Sequence, residues 1–223
     1  MNAALEKISS AFTLKPLDAG EYASFTASPL TVTLEWYEAE GLGNVSFLHG
    51  KAMGGLMKMD TLVINAAERD MPLFSYDYIS AMGNHTMLVE YYDTLLDAAA
   101  FDATSLERIK ESIASLPDND LGEHWYDYMK LGASFAKKTK KKELPQLESA
   151  FDTALGAYLA IASAKPPLSG ELAAQKREKA AQYVEGLFKN GGPSTDAFVK
   201  AIGEERARDL FSRIVFGTEA LNA

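Results

Sequence analysis

Three acids lie within apolar, strand-like sequence between Met59 and Asp93: Asp60, Asp77 and Glu90. A carboxylate in such surroundings is costly to ionise, so each acid is either paired or held protonated as a proton source. Period-two parity puts Asp77 on a face with Leu73, Ser75 and Ile79, and Asp60 with Leu62 and Ile64. Both admit two readings. Each is the partner of a lysine or a backbone amide, or an acid whose pKa rises on burial until it donates protons near neutrality. Glu90, beside Leu88 and Tyr92, is expected to be a structural partner at a strand end.

Other side chains give weaker signals. His49, His85 and His124 show no metal-ligand spacing, and no metal site is expected. His85 follows Gly83-Asn84 and reads as a solvated turn residue, while His49 precedes a glycine-rich loop and could face a pocket. His124-Trp125-Tyr126 reads as core edge. No GxSxG, GxGxxG or Walker pattern occurs. Lys137 to Lys142, KKTKKK, is the one dense basic run. It reads as a solvated loop, or else as a docking patch for an acidic partner or a clamp for substrate carboxylates.

The elements around these residues follow from periodicity. Leu30 to Tyr37 alternates strictly, and Val45 to His49, Leu56 to Ala66, Leu73 to Ile79 and Thr86 to Tyr92 read as further strands. Their short connections predict an antiparallel meander. The N-terminus reads as a helix turn at the edge of the fold. Leu106 to Leu116 suits a helix, and Leu121 to Met129 is short and aromatic. Leu144 to Ala162 repeats at steps of three and four until Pro166-Pro167. Ser169 can cap a helix to about Lys189, Ser194 or Thr195 one through Ile202, and a final helix contains Ala207 to Ile214. Strands first and helices afterwards predict one α+β domain over 1–223, an α/β/α sandwich with a central antiparallel sheet.

The 223 residues suffice for a well-buried core, and no apolar run approaches a membrane span. There is no cysteine, which fits a reducing compartment, and the N-terminus lacks a secretory signal, so a cytoplasmic protein is expected. A net charge of −9 argues against nucleic-acid binding.

Asp60 to Asp77, DTLVINAAERDMPLFSYD, resembles the ferredoxin-dependent bilin reductase family. There a strand of the form L-x-x-V-x-x-P leads through a charged turn into P-x-F-G-x-D. Pro72, Phe74 and Asp77 match the second segment, with Ser75 where glycine is usual. Tyr183 to Phe216 resembles the family's closing pattern through the turn at Asn190, Gly203-Glu204-Glu205 and Val215-Phe216. The resemblance spans about Leu30 to Phe216, and extends in outline to red chlorophyll catabolite reductase.

It implies an α/β/α sandwich that binds a linear tetrapyrrole such as biliverdin between sheet and C-terminal helices. Reduction would proceed one electron at a time from external reduced ferredoxin, or a flavodoxin, without a tightly bound cofactor. The family's proton donor falls on Asp77. The histidine of the phycocyanobilin-forming branch falls on Asp60, which is expected to be a second pocket acid coupled to Asp77. A glutamate of that branch falls on Leu48, or on His49 if the glycine-rich loop shifts the register. A second family aspartate falls on Gly192, with Asp196 one turn on. Substrate contacts are expected from His49, Lys137, Lys138, Lys140, Asn190 and Asp196. The protein is expected to be a monomer, in the plastid stroma if the source is a plant or alga. A non-catalytic tetrapyrrole carrier or sensor, and a partner-binding α+β domain whose acids are merely paired, are the rival readings.

Overall fold

The computed structural model describes residues 2–219. A helix, α1 (Asn2–Ala11), precedes the strands β1 (Leu14–Leu17), β2 (Ser24–Ala27), β3 (Leu30–Ala39) and β4 (Gly43–Ala52). The meander continues as β5 (Met57–Asn65), β6 (Leu73–Ala81) and β7 (Asn84–Tyr92). After α2 (Thr104–Ser112) come β8 (Phe135–Lys140), α3 (Leu144–Ala164), α4 (Gly170–Asn190), α5 (Pro193–Ile202) and α6 (Glu204–Asp209). A wider, π-type turn carries the last helix on through Leu210–Val215. No helix among the described residues is long and apolar enough to cross a membrane.

All eight strands join one antiparallel sheet in the order β1-β3-β4-β5-β6-β7-β8, with β2 beside β3. Its two faces carry separate cores. Phe47, Leu62, Phe74 and Tyr91 pack against α1, α2 and α3 on one side. Leu34, Leu48 and Val63 pack against Tyr183 of α4, Phe198 of α5 and Phe211 on the other. The α+β sandwich predicted from the patterns is therefore the fold. Alternation along β5 is what splits it: Leu62 and Ile64 enter one core and Val63 the other, while in β3 Val32 and Leu34 are buried and Thr31, Thr33 and Glu35 are exposed.

Several elements depart from expectation. The N-terminal segment is a ten-residue helix that buries Ala4 and Ile8, not a turn. The lysine run is not a loop. Its first residues form the edge strand β8, where Lys137 turns inward and accepts burial because Asp118 lies 2.7 Å from its Nζ and Leu116 O accepts from it at 2.9 Å. Ser169 does cap α4, its Oγ accepting from Leu172 N. Helix α5, by contrast, starts at Pro193, so Ser194 and Thr195 fall inside its first turn. Proline tolerates that first helical position because no intrahelical N–H is needed there. His85 is paired rather than solvated: Tyr78 Oη lies 2.7 Å from its Nδ1 and the rings stack.

Two polar clamps join the C-terminal helices to the sheet. Asn44 Nδ2 donates to Ile214 O and Val215 O, Ser46 Oγ to Val215 O, and Asn65 Nδ2 to Phe216 O, all in the interior. These bonds satisfy the carbonyls at the end of the last helix, which would otherwise be buried unpaired. Lys176 of α4 is fully buried and donates to Met71 O and Thr94 O, both at 2.6 Å, holding α4 over the ends of β6 and β7. Burial pushes its pKa down to about 8, and Asp70 nearby opposes the shift.

Candidate active site

Between the sheet and α4, α5 and the last helix lies a cavity of about 360 Å³. That is within the roughly 300–1,000 Å³ usual for small-molecule sites. Its floor is one face of β5, β6 and β7, presenting Thr61, Asp77, Glu90 and Tyr92. Its roof is Tyr183, Phe211 and Phe216, and the first turn of α5, Gly192 to Thr195, forms part of the rim. Aromatic rings dominate the upper wall: Tyr183 packs on Tyr92 at 4.6 Å between centroids and edge-on to Phe216 at 5.7 Å.

Asp77 is half-buried and faces this cavity. Burial pushes its pKa up to about 6, the Thr61 hydroxyl donating to Oδ1 pulls it back, and the charge of Glu90 adds to the rise. The carboxyl is therefore partly protonated near neutrality, the state a general acid needs. Glu90 is the cavity's second acid and is already committed. Lys130 Nζ lies 2.7 Å from one oxygen, and Tyr92 Oη donates to the other at 2.7 Å. Although burial opposes its charge, Lys130 has a raised pKa because Glu90 and Asp127 both flank it. The structural role expected for Glu90 holds, but its place on the cavity floor was not foreseen.

Asp60 and His49 go elsewhere. In the β5–β6 register Thr61 sits opposite Asp77, so Asp60 points to the other face of the sheet. There its Oδ1 lies 2.7 Å from His49 Nδ1 across the β4–β5 pair. The expected pair of coupled acids, Asp60 with Asp77, is thus divided by the sheet. Lys137 is buried in its ion pair, which removes it as a substrate clamp. Lys138 and Lys140 are exposed, and Lys138 pairs with Thr86, a residue of the cavity wall. Asn190 and Asp196 are exposed and do not line the cavity, whose rim is formed by the residues between them.

His124 and Tyr126 were not anticipated here. Both line the cavity, their rings stacked 5.0 Å apart, and His124 Nδ1 is buried without a hydrogen-bond partner among the described residues. Trp125 between them is the anchor. Its Nε1 donates to Gly191 O at 2.8 Å, and its ring lies flush on α4 at Gly186. A Cβ at Gly186 would stand 2.2 Å from Trp125 Cη2, so helix and indole meet only because that residue is glycine. Gly186→Ala is expected to displace the indole and destabilise the protein by about 1–3 kcal/mol, read in urea unfolding with a shift in tryptophan fluorescence. An unaltered midpoint would show that the contact carries no weight.

A solved structure shares this fold over nearly the whole chain. The fold is that of phytochromobilin synthase. The crystal structure of SeMet-phytochromobilin synthase from tomato in complex with biliverdin matches 97% of this chain and 81% of its own, with a TM-score of 0.78 and 15% identity. No protein-family model matches the chain, and no curated protein matches it in sequence. On the phytochromobilin synthase fold seen here, the acid of the P-x-F-x-x-D segment is the one that reaches the cavity, and its neighbour one strand away is not.

Proposed function

We propose that this protein binds a linear tetrapyrrole in the cavity above Asp77 and reduces it with electrons taken singly from external reduced ferredoxin. The observation that carries the reading is the Asp77 carboxyl, raised to about 6 on the floor of an aromatic-walled cavity. A flat conjugated molecule suits walls built from Tyr92, Tyr126, Tyr183, Phe211 and Phe216. Reducing one double bond consumes two electrons and two protons. The first electron makes the pyrrole system basic, and Asp77 then hands over its proton and is recharged from solvent. Thr61, donating to the carboxylate, steadies the charge left behind. The fold shared with a protein crystallised with biliverdin supports the same substrate class.

An anaerobic titration with biliverdin tests the reading. A saturable change in the bilin absorption bands is expected, followed by bleaching or conversion when ferredoxin and a reducing system are added. Spectral change without conversion would instead make the protein a carrier or sensor. No change at all would remove both.

A further inference from the structure

The face of the sheet turned away from Asp77 carries a second cavity, of about 520 Å³, where β5 and β6 meet α1 and α3. The two cavities share no residue. Asp60 and Tyr78 stand opposite each other in the β5–β6 register, Tyr76 lies two residues along β6, and these side chains form its floor. Glu148, Phe151 and Asp152 line it from α3, the two acids one turn apart on the same side of the helix. No lysine or arginine among the described residues lines it.

The fold leaves polar groups in this cavity unpaired. Tyr76 is 6% exposed and its ring stacks on Phe151 at 3.8 Å, yet its hydroxyl has no hydrogen-bond partner among the described residues. Burial raises its pKa and the charges of Asp60 and Glu148 add to the rise, so the hydroxyl keeps its proton and lies in the field of both acids. A nearly buried hydroxyl of this kind forgoes a hydrogen bond that a ligand in the cavity can supply. Asp60 Oδ1 is fixed 2.7 Å from His49 Nδ1, and the other oxygen has no partner among the described residues. Glu148 forms no ion pair among them either. Asp152 is matched, by Lys7 at 2.7 Å.

We propose that this cavity binds a small organic cation with primary ammonium ends, the chemistry of the linear aliphatic diamines and polyamines. Carboxylates without a matching base set the sign of the ligand. An ammonium group carries three donors and no acceptor, so one such group can satisfy a carboxylate and the Tyr76 hydroxyl together. The rings of Tyr76, Tyr78 and Phe151 offer apolar surface to the methylenes between the charged ends, and aromatic faces attract cations. No group of acids and histidines among the described residues is arranged to hold a metal ion, which favours an organic cation over a bare one. The same negative charge turns away the carboxylates of a linear tetrapyrrole, so this is not a second place for the substrate proposed above. The site does not depend on the chemistry at Asp77.

The test is calorimetric titration of the full chain with spermidine and with putrescine at physiological ionic strength, where diffuse attraction to an acidic surface is screened. Tyr76→Phe keeps the ring and its stack on Phe151 and removes only the hydroxyl. Glu148→Gln removes one exposed charge from α3. Glu171→Gln, in the exposed first turn of α4, is the control for net charge. One polyamine per chain is expected to bind, about tenfold more weakly in each of the first two variants and unchanged in the third. Absence of binding by both amines overturns the site. So does a loss no larger in Tyr76→Phe and Glu148→Gln than in Glu171→Gln, which would make the attraction diffuse. Magnesium ion that displaces spermidine one for one at matched ionic strength leaves a site for charge alone and overturns the organic ligand.

Discussion

Asp77→Asn is expected to lower the rate of bilin reduction about 10³-fold while leaving bilin affinity within a factor of two or three. The amide keeps the size of the carboxyl and can still bond Thr61, so the cavity floor holds its shape. What disappears is the proton. A radical formed by the first electron should then persist, and its absorption or paramagnetic signal should accumulate. The wild-type pH profile carries the same signature. On the proposed mechanism protonated Asp77 is the active form, and with its pKa raised to about 6 kcat/KM should fall as pH rises through that value. The variant should lose this limb. Full turnover by Asp77→Asn would sink the mechanism.

The same substitution should make the protein more stable at neutral pH. The folded pKa, about 6, exceeds the ordinary 3.8, so between those values the folded state holds a proton that the unfolded chain has released. Stability attributable to Asp77 is complete below about pH 4 and is lost as pH rises through about 6. Two pKa units correspond to about 3 kcal/mol, which solvent in the cavity reduces to about 1–2 kcal/mol. Urea unfolding at pH 4 and pH 7 should therefore show the variant gaining only at the higher pH. A gain in stability with a loss of rate is what a group kept for chemistry predicts.

Asn44→Ala should cost about 3 kcal/mol, because it strands several buried polar groups at once. Asn44 is 2% exposed, receives a hydrogen bond from Trp36 Nε1 at 2.5 Å, and donates to Ile214 O and Val215 O. Gly217 packs against it so closely that a Cβ there would lie 2.3 Å from Asn44 Cγ. Alanine leaves an indole N–H and two carbonyls facing a void, with Ser46 still holding Val215 O. Val215 and Phe216 are cavity wall, so biliverdin affinity should fall about tenfold along with the unfolding midpoint. Asn65→Ala, which releases Phe216 O, is expected to behave alike. A loss below about 1 kcal/mol in both variants would mean that the last helix is held by packing alone.

Much of the fold was legible because its signals are local. Strand alternation, the three- and four-residue steps of α3, the Pro166-Pro167 stop and the Ser169 cap are written within a few residues of where they act. The lysine run shows the limit. Dense like charge argues for a solvated loop, but pairing with β7 and the reach of Asp118 and Leu116 O to Lys137 make it a strand. Both neighbours lie about twenty residues away in sequence, beyond any local pattern.

The candidate site divides along the same line. Sequence alone determined that Asp77 shares a face with Leu73, Ser75 and Ile79, and that Asp60 shares one with Leu62 and Ile64, because a strand's own period fixes parity within it. It could not determine whether those two faces are the same, since period two carries no phase from one strand to the next. The register that sets Thr61 opposite Asp77 supplied that phase, turning Asp77 into the cavity and Asp60 away toward His49. Tertiary structure likewise brought His124 and Tyr126 to the site, through a tryptophan resting on a helical glycine some sixty residues further along the chain.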